Sequence, residues 1–310
     1  MAGYRFKLGI YLPELRLPFD QALDQAREMG AEYVWLNNLP GEKPLTQLDD
    51  AEVDHLAEGL ARRGLKPFLI SAGVTFKQIH LCDLNLEDME HHPAFRQDLD
   101  SLVRTMQIAV RLGVSVVSTF TFAWPGEYTA GKPTWPMRWL TRGGVIADVD
   151  MEKLVRAFSL VMEQAERHGV DVALSMMPWN YTNTTGNFRR LAEALGSRRL
   201  RVMWGPADNL NCGEWDVARA GFGNVRPYLH GLHLKDLRVI DGLRCKFEYC
   251  PLGQGDVDYT AILRQLREHQ SEAVLSVATH FLPPSGSAQE AMRINFANLR
   301  ALIRRAGVES

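Results

Sequence analysis

Apolar and polar positions along this chain fall into two periods that take turns. FKLGIYLPE (residues 6–14) reads as a strand, and PFDQALDQAREMG as an amphipathic helix stopped at Gly30. AEYVWLNN is the next strand, followed by a helix over about Leu48–Arg63 that Gly64 stops. LKPFLISAG is the third strand, and a helix over Pro93–Leu112 precedes the fourth, VSVVSTFTF. A helix over about Asp150–His168 comes next. VDVALSMMP, LRVMWGPAD, YLHGLHLKD and EAVLSVATHF supply strands five to eight, each followed by a helical segment, the last near Ala288–Ala306. Eight βα units without a break in composition predict one α/β domain over residues 1–310, a (β/α)8 TIM barrel. An open doubly wound sheet is the competing arrangement, but no Gly-rich dinucleotide fingerprint follows the first strand. Chemistry in such a barrel gathers at the C-terminal ends of the strands.

Those ends carry three kinds of candidate. The connection after strand four runs to more than twenty residues and holds Trp124, Trp135 and Trp139, with Pro125, Pro133 and Pro136 limiting its freedom. Trp179 after strand five and Trp204 at the end of strand six are expected on the same face, where flat apolar rings suit the carbon–hydrogen faces of a sugar. In LHGLHLKD, alternation sets Gly231, His233 and Lys235 on one face and Leu232 and Leu234 on the other. The following PLGQGDVDY has glycines that permit tight backbone and Asp256 as a candidate cap for the helix near Tyr259. Asn37, Asn38 and Asn180 are candidate hydroxyl binders, or else turn and cap residues.

Composition narrows the classes. With 46% hydrophobic and 23% charged residues the chain is an ordinary globular protein, and a formal charge of −2 gives no field for nucleic acid. No apolar run reaches membrane-spanning length and no signal peptide precedes the first strand, so a cytoplasmic location is expected. Cys82, Cys212, Cys245 and Cys250 have neither zinc-site nor disulfide-framework spacing and read as reduced thiols. His80, Cys82, Asp83, His91 and His92 share one connection but match no ligand pattern.

HLKD followed at this distance by PLGQGDVDY resembles the xylose isomerase-like TIM barrels, the sugar phosphate isomerase/epimerase superfamily, where the segments read HxKD and close to PLGEGDVDF. The resemblance covers nearly all the chain, most strongly Val170 to Phe281. It implies one divalent cation, such as Mn²⁺ or Mg²⁺, held by Glu, Asp, His and Glu on strands five to eight, with the Glu pair also moving the proton. ALSMMP is similar to the family's ALENHP and puts Ser175 at the first Glu. WGPADNL resembles WDPANL, so Gly205 replaces the Asp, while Asp208 stands where Asn or His is usual. His233 is retained. LSVATHF is similar to LSVETHF and puts Ala278 at the second Glu, and Gln254 replaces the Glu of PLGEGDVDF. Ser, Gly and Ala offer no anionic ligand, so no metal cofactor is expected despite the family's habit.

The polar set that remains is His233 as acid or base, Asp208 to orient it or serve as base, and Lys235 to stabilise an oxyanion, bind an anion or form a Schiff base. His280 shares the parity of Ala278, and Ser175 and Asn180 sit at the end of strand five. Three readings follow. The first is an isomerase- or epimerase-like enzyme on a sugar, keto-sugar or polyol, working without metal. The second is a lyase or dehydratase on a related metabolite. The third is a non-catalytic ligand-binding barrel. Each takes a small carbohydrate-like molecule, and the resemblance adds homodimerisation as an expectation.

Overall fold

A computed structural model of the chain describes residues 4–39, 41–71, 76–127, 144–242, 244 and 246–307. Trp135, Trp139 and Cys245 lie outside them. In chain order the elements are β1 (Lys7–Tyr11), α1 (Phe19–Glu28), β2 (Tyr33–Leu36), α2 (Asp50–Arg62), β3 (Lys66–Ile70), α3 (Pro93–Arg111) and β4 (Val116–Thr119). There follow α4 (Asp148–His168), β5 (Asp171–Ser175), α5 (Thr185–Leu195), β6 (Leu200–Trp204), α6 (Pro206–Asn211), α7 (Phe222–Val225) and β7 (Leu229–Leu234). The chain ends with β8 (Asp236–Asp241), β9 (Lys246–Cys250), α8 (Tyr259–Glu268), β10 (Val274–Val277) and α9 (Ala288–Arg305).

Eight strands close a parallel barrel in the order β1-β10-β7-β6-β5-β4-β3-β2, as the alternation predicts. Helices cover the outside, so strands such as β4 and β10 are buried at every position and read as continuous apolar runs. The turn-rich excursion after β7 is an antiparallel hairpin, β8–β9, outside the barrel sheet. After β6 the helical segment is broken: Pro206 opens α6, Gly213 at φ +84° follows its end, and helix resumes as a π-helical turn over Val217–Gly221 that runs into α7. Among the described residues no helix is long and apolar enough to cross a membrane.

The barrel lumen is filled by side chains. Trp35, Phe68, Val116, Ala173, Met203 and Val274 form one buried cluster, with Tyr11 and Tyr33 packed on it. Space for them comes from glycine: a Cβ on Gly231 would meet Met203 Sδ at 2.8 Å, and one on Gly9 would meet Val274 at 2.7 Å. Each large side chain buried in this way contributes about 1.5–3 kcal/mol. A second, larger cluster packs the strands' outer faces against the helices. One sequence expectation moves: Asp258, not Asp256, caps α8 by accepting from Ala261 N at 2.9 Å. Asp256 lies two residues too early and instead accepts from Val239 N at 2.8 Å, holding the hairpin.

Candidate functional site

The parity read in LHGLHLKD is the one observed: β7 turns Gly231, His233 and Lys235 toward the barrel axis. Lys235 is 2% exposed, and its ammonium lies 3.0 Å from Asp208 Oδ1 and 3.3 Å from His280 Nε2. An ammonium only donates, so Nε2 of His280 accepts and Nδ1 carries the ring proton. The His233 ring sits edge-on to Tyr11 and Trp35, with centroids 5.5 and 5.3 Å away. Tyr249, brought in by the hairpin, lies 4.7 Å from the His280 ring.

Asp208 reaches this cluster by a local detour. The first turn of α6 folds its side chain back over the end of β6, with Asp208 N donating to Gly205 O at 3.0 Å. A Cβ on residue 205 would lie 2.4 Å from Asp208 Oδ2, so Asp208 fills the space that a side chain on residue 205 would need. A second carboxylate arrives from the far end of the chain. Leu12–Leu15 is a short 3-10 turn after β1, started by Pro13 and anchored by buried Leu12 and Leu15. Between the anchors, Glu14 accepts from Thr279 N with Oε2, and its Oε1 stands 3.7 Å from His280 Nε2.

Burial sets the electrostatics, modified by the Lys235 ammonium. Desolvation works against the Lys235 ammonium, but Asp208, with Tyr249 and Glu14 adding to it, holds the group in its charged form, above the ordinary lysine range. Burial raises Asp208 itself while Lys235 opposes the rise. Burial, then Lys235, keeps His233 and His280 neutral, well below the usual imidazole range for His233. Glu14 is pushed up to about 7, by burial against the opposing pull of the Thr279 amide, Lys235 and Arg16. Among the described residues, Ser175 Oγ, Asp208 Oδ2, His233 Nε2 and Ser276 Oγ are buried with no hydrogen-bond partner. Buried polar atoms are rarely left bare.

The other sequence candidates divide. Asn37 is half-buried and donates to the Tyr11 hydroxyl at 2.9 Å, one contact away from His233. Its own oxygen accepts from Asn38 N, whose side chain in turn accepts from Leu45 N, a turn role. Asn180 is fully buried and donates to Ser175 O at 3.0 Å, tying the end of β5. Trp179 packs against Phe120 with centroids 5.5 Å apart, and Trp124 lies against Tyr181 at 4.2 Å. Trp204 is not with them: even parity on β6 belongs to the outer face, since Met203 holds the lumen. Its indole packs toward Phe222 and donates to Asn209 Oδ1 at 2.9 Å, with no exposure at all.

Sequence reasoning passed over Glu14, Tyr11, Trp35 and Tyr249, as well as Lys77. Lys77 follows β3, and its ammonium lies 3.8 Å from the Phe120 ring centroid and 5.8 Å from that of Trp179. Burial lowers it to about 8. Glu14 and Tyr11 sit at the C-terminal end of the first strand, where the strand-end rule applied to every unit would have found them. Asp236, the last residue of HLKD, is structural. Its carboxylate accepts from the backbone N–H of Leu237, Gly253 and Gly255, at 2.9, 2.8 and 3.0 Å. A Cβ on Gly255 would meet Asp236 Oδ1 at 2.2 Å, which is why PLGQGDVDY needs glycine there.

A hard divalent cation does not fit these donors. Ser175, Gly205 and Ala278 bring no anionic oxygen, and the Asp208 carboxylate already faces an ammonium at 3.0 Å. Among the described residues no three His, Cys, Asp or Glu side chains converge on one point, the His80–His92 connection included.

The family model for the xylose isomerase-like TIM barrel matches residues 23–300. No curated protein matches the chain. Solved structures of the same fold include the IOLI protein with a bound zinc atom, at TM-score 0.72 and 16% identity over 97% of this chain and 99% of that one. An L-ribulose 3-epimerase gives TM-score 0.69 and 18% identity over 98% and 96%. The Bacillus anthracis protein described as "probable 3-DHS dehydratase AsbF" gives 0.67 and 15% over 95% and 98%.

Proposed function

The chain belongs to the xylose isomerase-like TIM barrel family, and on that premise we propose that it is an isomerase- or epimerase-like enzyme for a sugar, keto-sugar or polyol metabolite that works without a divalent cation. The observation that carries this reading is the ammonium of Lys235, enclosed at the strand ends between Asp208 and His280. A fixed positive charge in a dry site stabilises an oxygen on which negative charge develops, the service a cation gives elsewhere. The bare Ser175 Oγ and His233 Nε2 suit hydroxyl groups or water. Neutral His233 would take part as a hydrogen-bonding group toward the substrate, and Asp208 as the partner that keeps the ammonium charged.

The same first step, removal of a proton beside a carbonyl, also begins an elimination. The likeness to a protein described as a dehydratase supports the fold alone, at 15% identity. The test is to incubate chelator-treated protein with free and phosphorylated aldoses and ketoses in D2O and follow proton exchange and product by NMR. Interconversion that survives chelation and is lost in Lys235→Met supports the proposal. Activity that returns only with added Mn²⁺ or Mg²⁺ sinks the metal-free part, and an unsaturated, dehydrated product replaces isomerase with lyase. Binding of a sugar with no exchange at all leaves a ligand-binding barrel.

A further inference from the structure

The geometry points to Glu14 as the group that moves the substrate proton, passing it between two neighbouring carbons of a 2-hydroxyaldehyde or 2-hydroxyketone on one face. This assignment rests on the reading above. Among the described residues two carboxylates, Asp208 and Glu14, reach the cluster, and Glu14 is the less enclosed of them. Asp208 is 2% exposed, with Oδ1 on the ammonium and Oδ2 turned against the Gly205 backbone. The Glu14 side chain keeps 13% of its surface, one oxygen fixed by the Thr279 amide. Its other oxygen makes no hydrogen bond among the described residues, since 3.7 Å from His280 is beyond hydrogen-bonding reach. A carboxyl pinned at one oxygen and free at the other has a defined direction of attack.

The groups facing it come from every wall. Lys235 on β7 and Arg16 on its own turn favour the anion, Asp208 opposes it, and neutral His280 and Tyr249 complete the surroundings. Burial outweighs the cations and sets the group near 7, where acid and base forms coexist. As carboxylate, Glu14 takes the proton from the hydroxyl-bearing carbon. The C–H electron pair becomes the C=C of an enediolate, and the carbonyl oxygen takes the negative charge beside Lys235. Glu14, now the acid, returns the proton to the former carbonyl carbon. The hydroxyl proton passes from one oxygen to the other, so atoms and charge balance. One pinned carboxyl serves one face, which favours isomerisation over inversion at a single carbon.

The test pairs Glu14→Gln with Glu14→Asp in the full chain. Gln still accepts from Thr279 N, so the turn is expected to hold. In 13C-glutamate NMR, one carboxyl signal absent from Glu14→Gln should titrate near neutrality. For the sugar that wild type converts, Glu14→Gln should bind with unchanged affinity but convert it at least about 100-fold more slowly. Glu14→Asp should recover part of the rate, and label at the donor carbon should reach its neighbour in wild type. Undiminished conversion by Glu14→Gln, or a signal titrating in the ordinary Glu range, overturns the Glu14 assignment alone. A wild type that binds sugar and converts none overturns both this assignment and the isomerase reading.

Discussion

Two lysines, one buried and one half-buried, sit at the mouth of one barrel, and their surroundings push them in opposite directions. Lys235 sits on the β6–β7–β10 side against the Asp208 carboxylate, which keeps its proton on. Lys77 sits on the β4–β5 side against the faces of Phe120 and Trp179, and burial brings it down to about 8. A carboxylate at 3.0 Å, joined by Tyr249 and Glu14, offsets the desolvation of Lys235, whereas an aromatic quadrupole at 3.8 Å returns only about 0.5–2 kcal/mol. One side of the mouth therefore holds a permanent charge, and the other holds a charge that titrates beside flat apolar rings.

The largest test of that contrast is Asp208→Asn. It leaves the Lys235 ammonium buried without its counter-ion and should cost about 3–5 kcal/mol in chemical denaturation. The double variant Asp208→Asn with Lys235→Met should regain most of the loss, and if it does not, the pair is not what the ammonium depends on. A smaller effect separates Lys77. Its folded pKa lies below the unfolded value near 10.4, so the native state binds fewer protons than the unfolded chain between about pH 8 and pH 10. Stability relative to Lys77→Met should therefore rise with pH across that window, by at most about 3 kcal/mol, and level off below pH 8, where both states carry the proton. An acylating reagent at pH 8 should label Lys77 well before Lys235, read by peptide mass spectrometry; equal labelling would erase the contrast. The smallest effect belongs to Trp204→Phe, which removes one hydrogen bond to Asn209 and should cost about 1 kcal/mol in stability. Sugar binding should be untouched, because the ring lies behind the barrel wall. A binding defect would return Trp204 to the mouth.

The barrel was legible because each strand's apolar run is bounded by helical periodicity, and the parity of β7 alone set His233 and Lys235 inward. Parity would also have turned Trp204 outward, had Met203 been weighed against it. What periodicity does not carry is closure. Glu14 meets Thr279 only because β1 pairs with β10, 265 positions away along the chain. Asp208 returns to Gly205 through one turn of helix, and Tyr249 arrives on a hairpin that reads locally as turns. Alignment to a family pattern showed which carboxylates were missing from their usual places. It did not show that two others had come into the same mouth from different points on the chain.

The Asp236 clamp has a consequence for how this barrel can change. Residues 237–252 leave and re-enter the wall at one carboxylate held by Leu237, Gly253 and Gly255, so the hairpin between them is closed at its base. A hairpin of another length or sequence that ends on the same three amides leaves Lys235 and α8 in register. The segment that lays Tyr249 over the site is in that sense an exchangeable cartridge, by which the ring set above the chemistry can be swapped without rebuilding the barrel beneath.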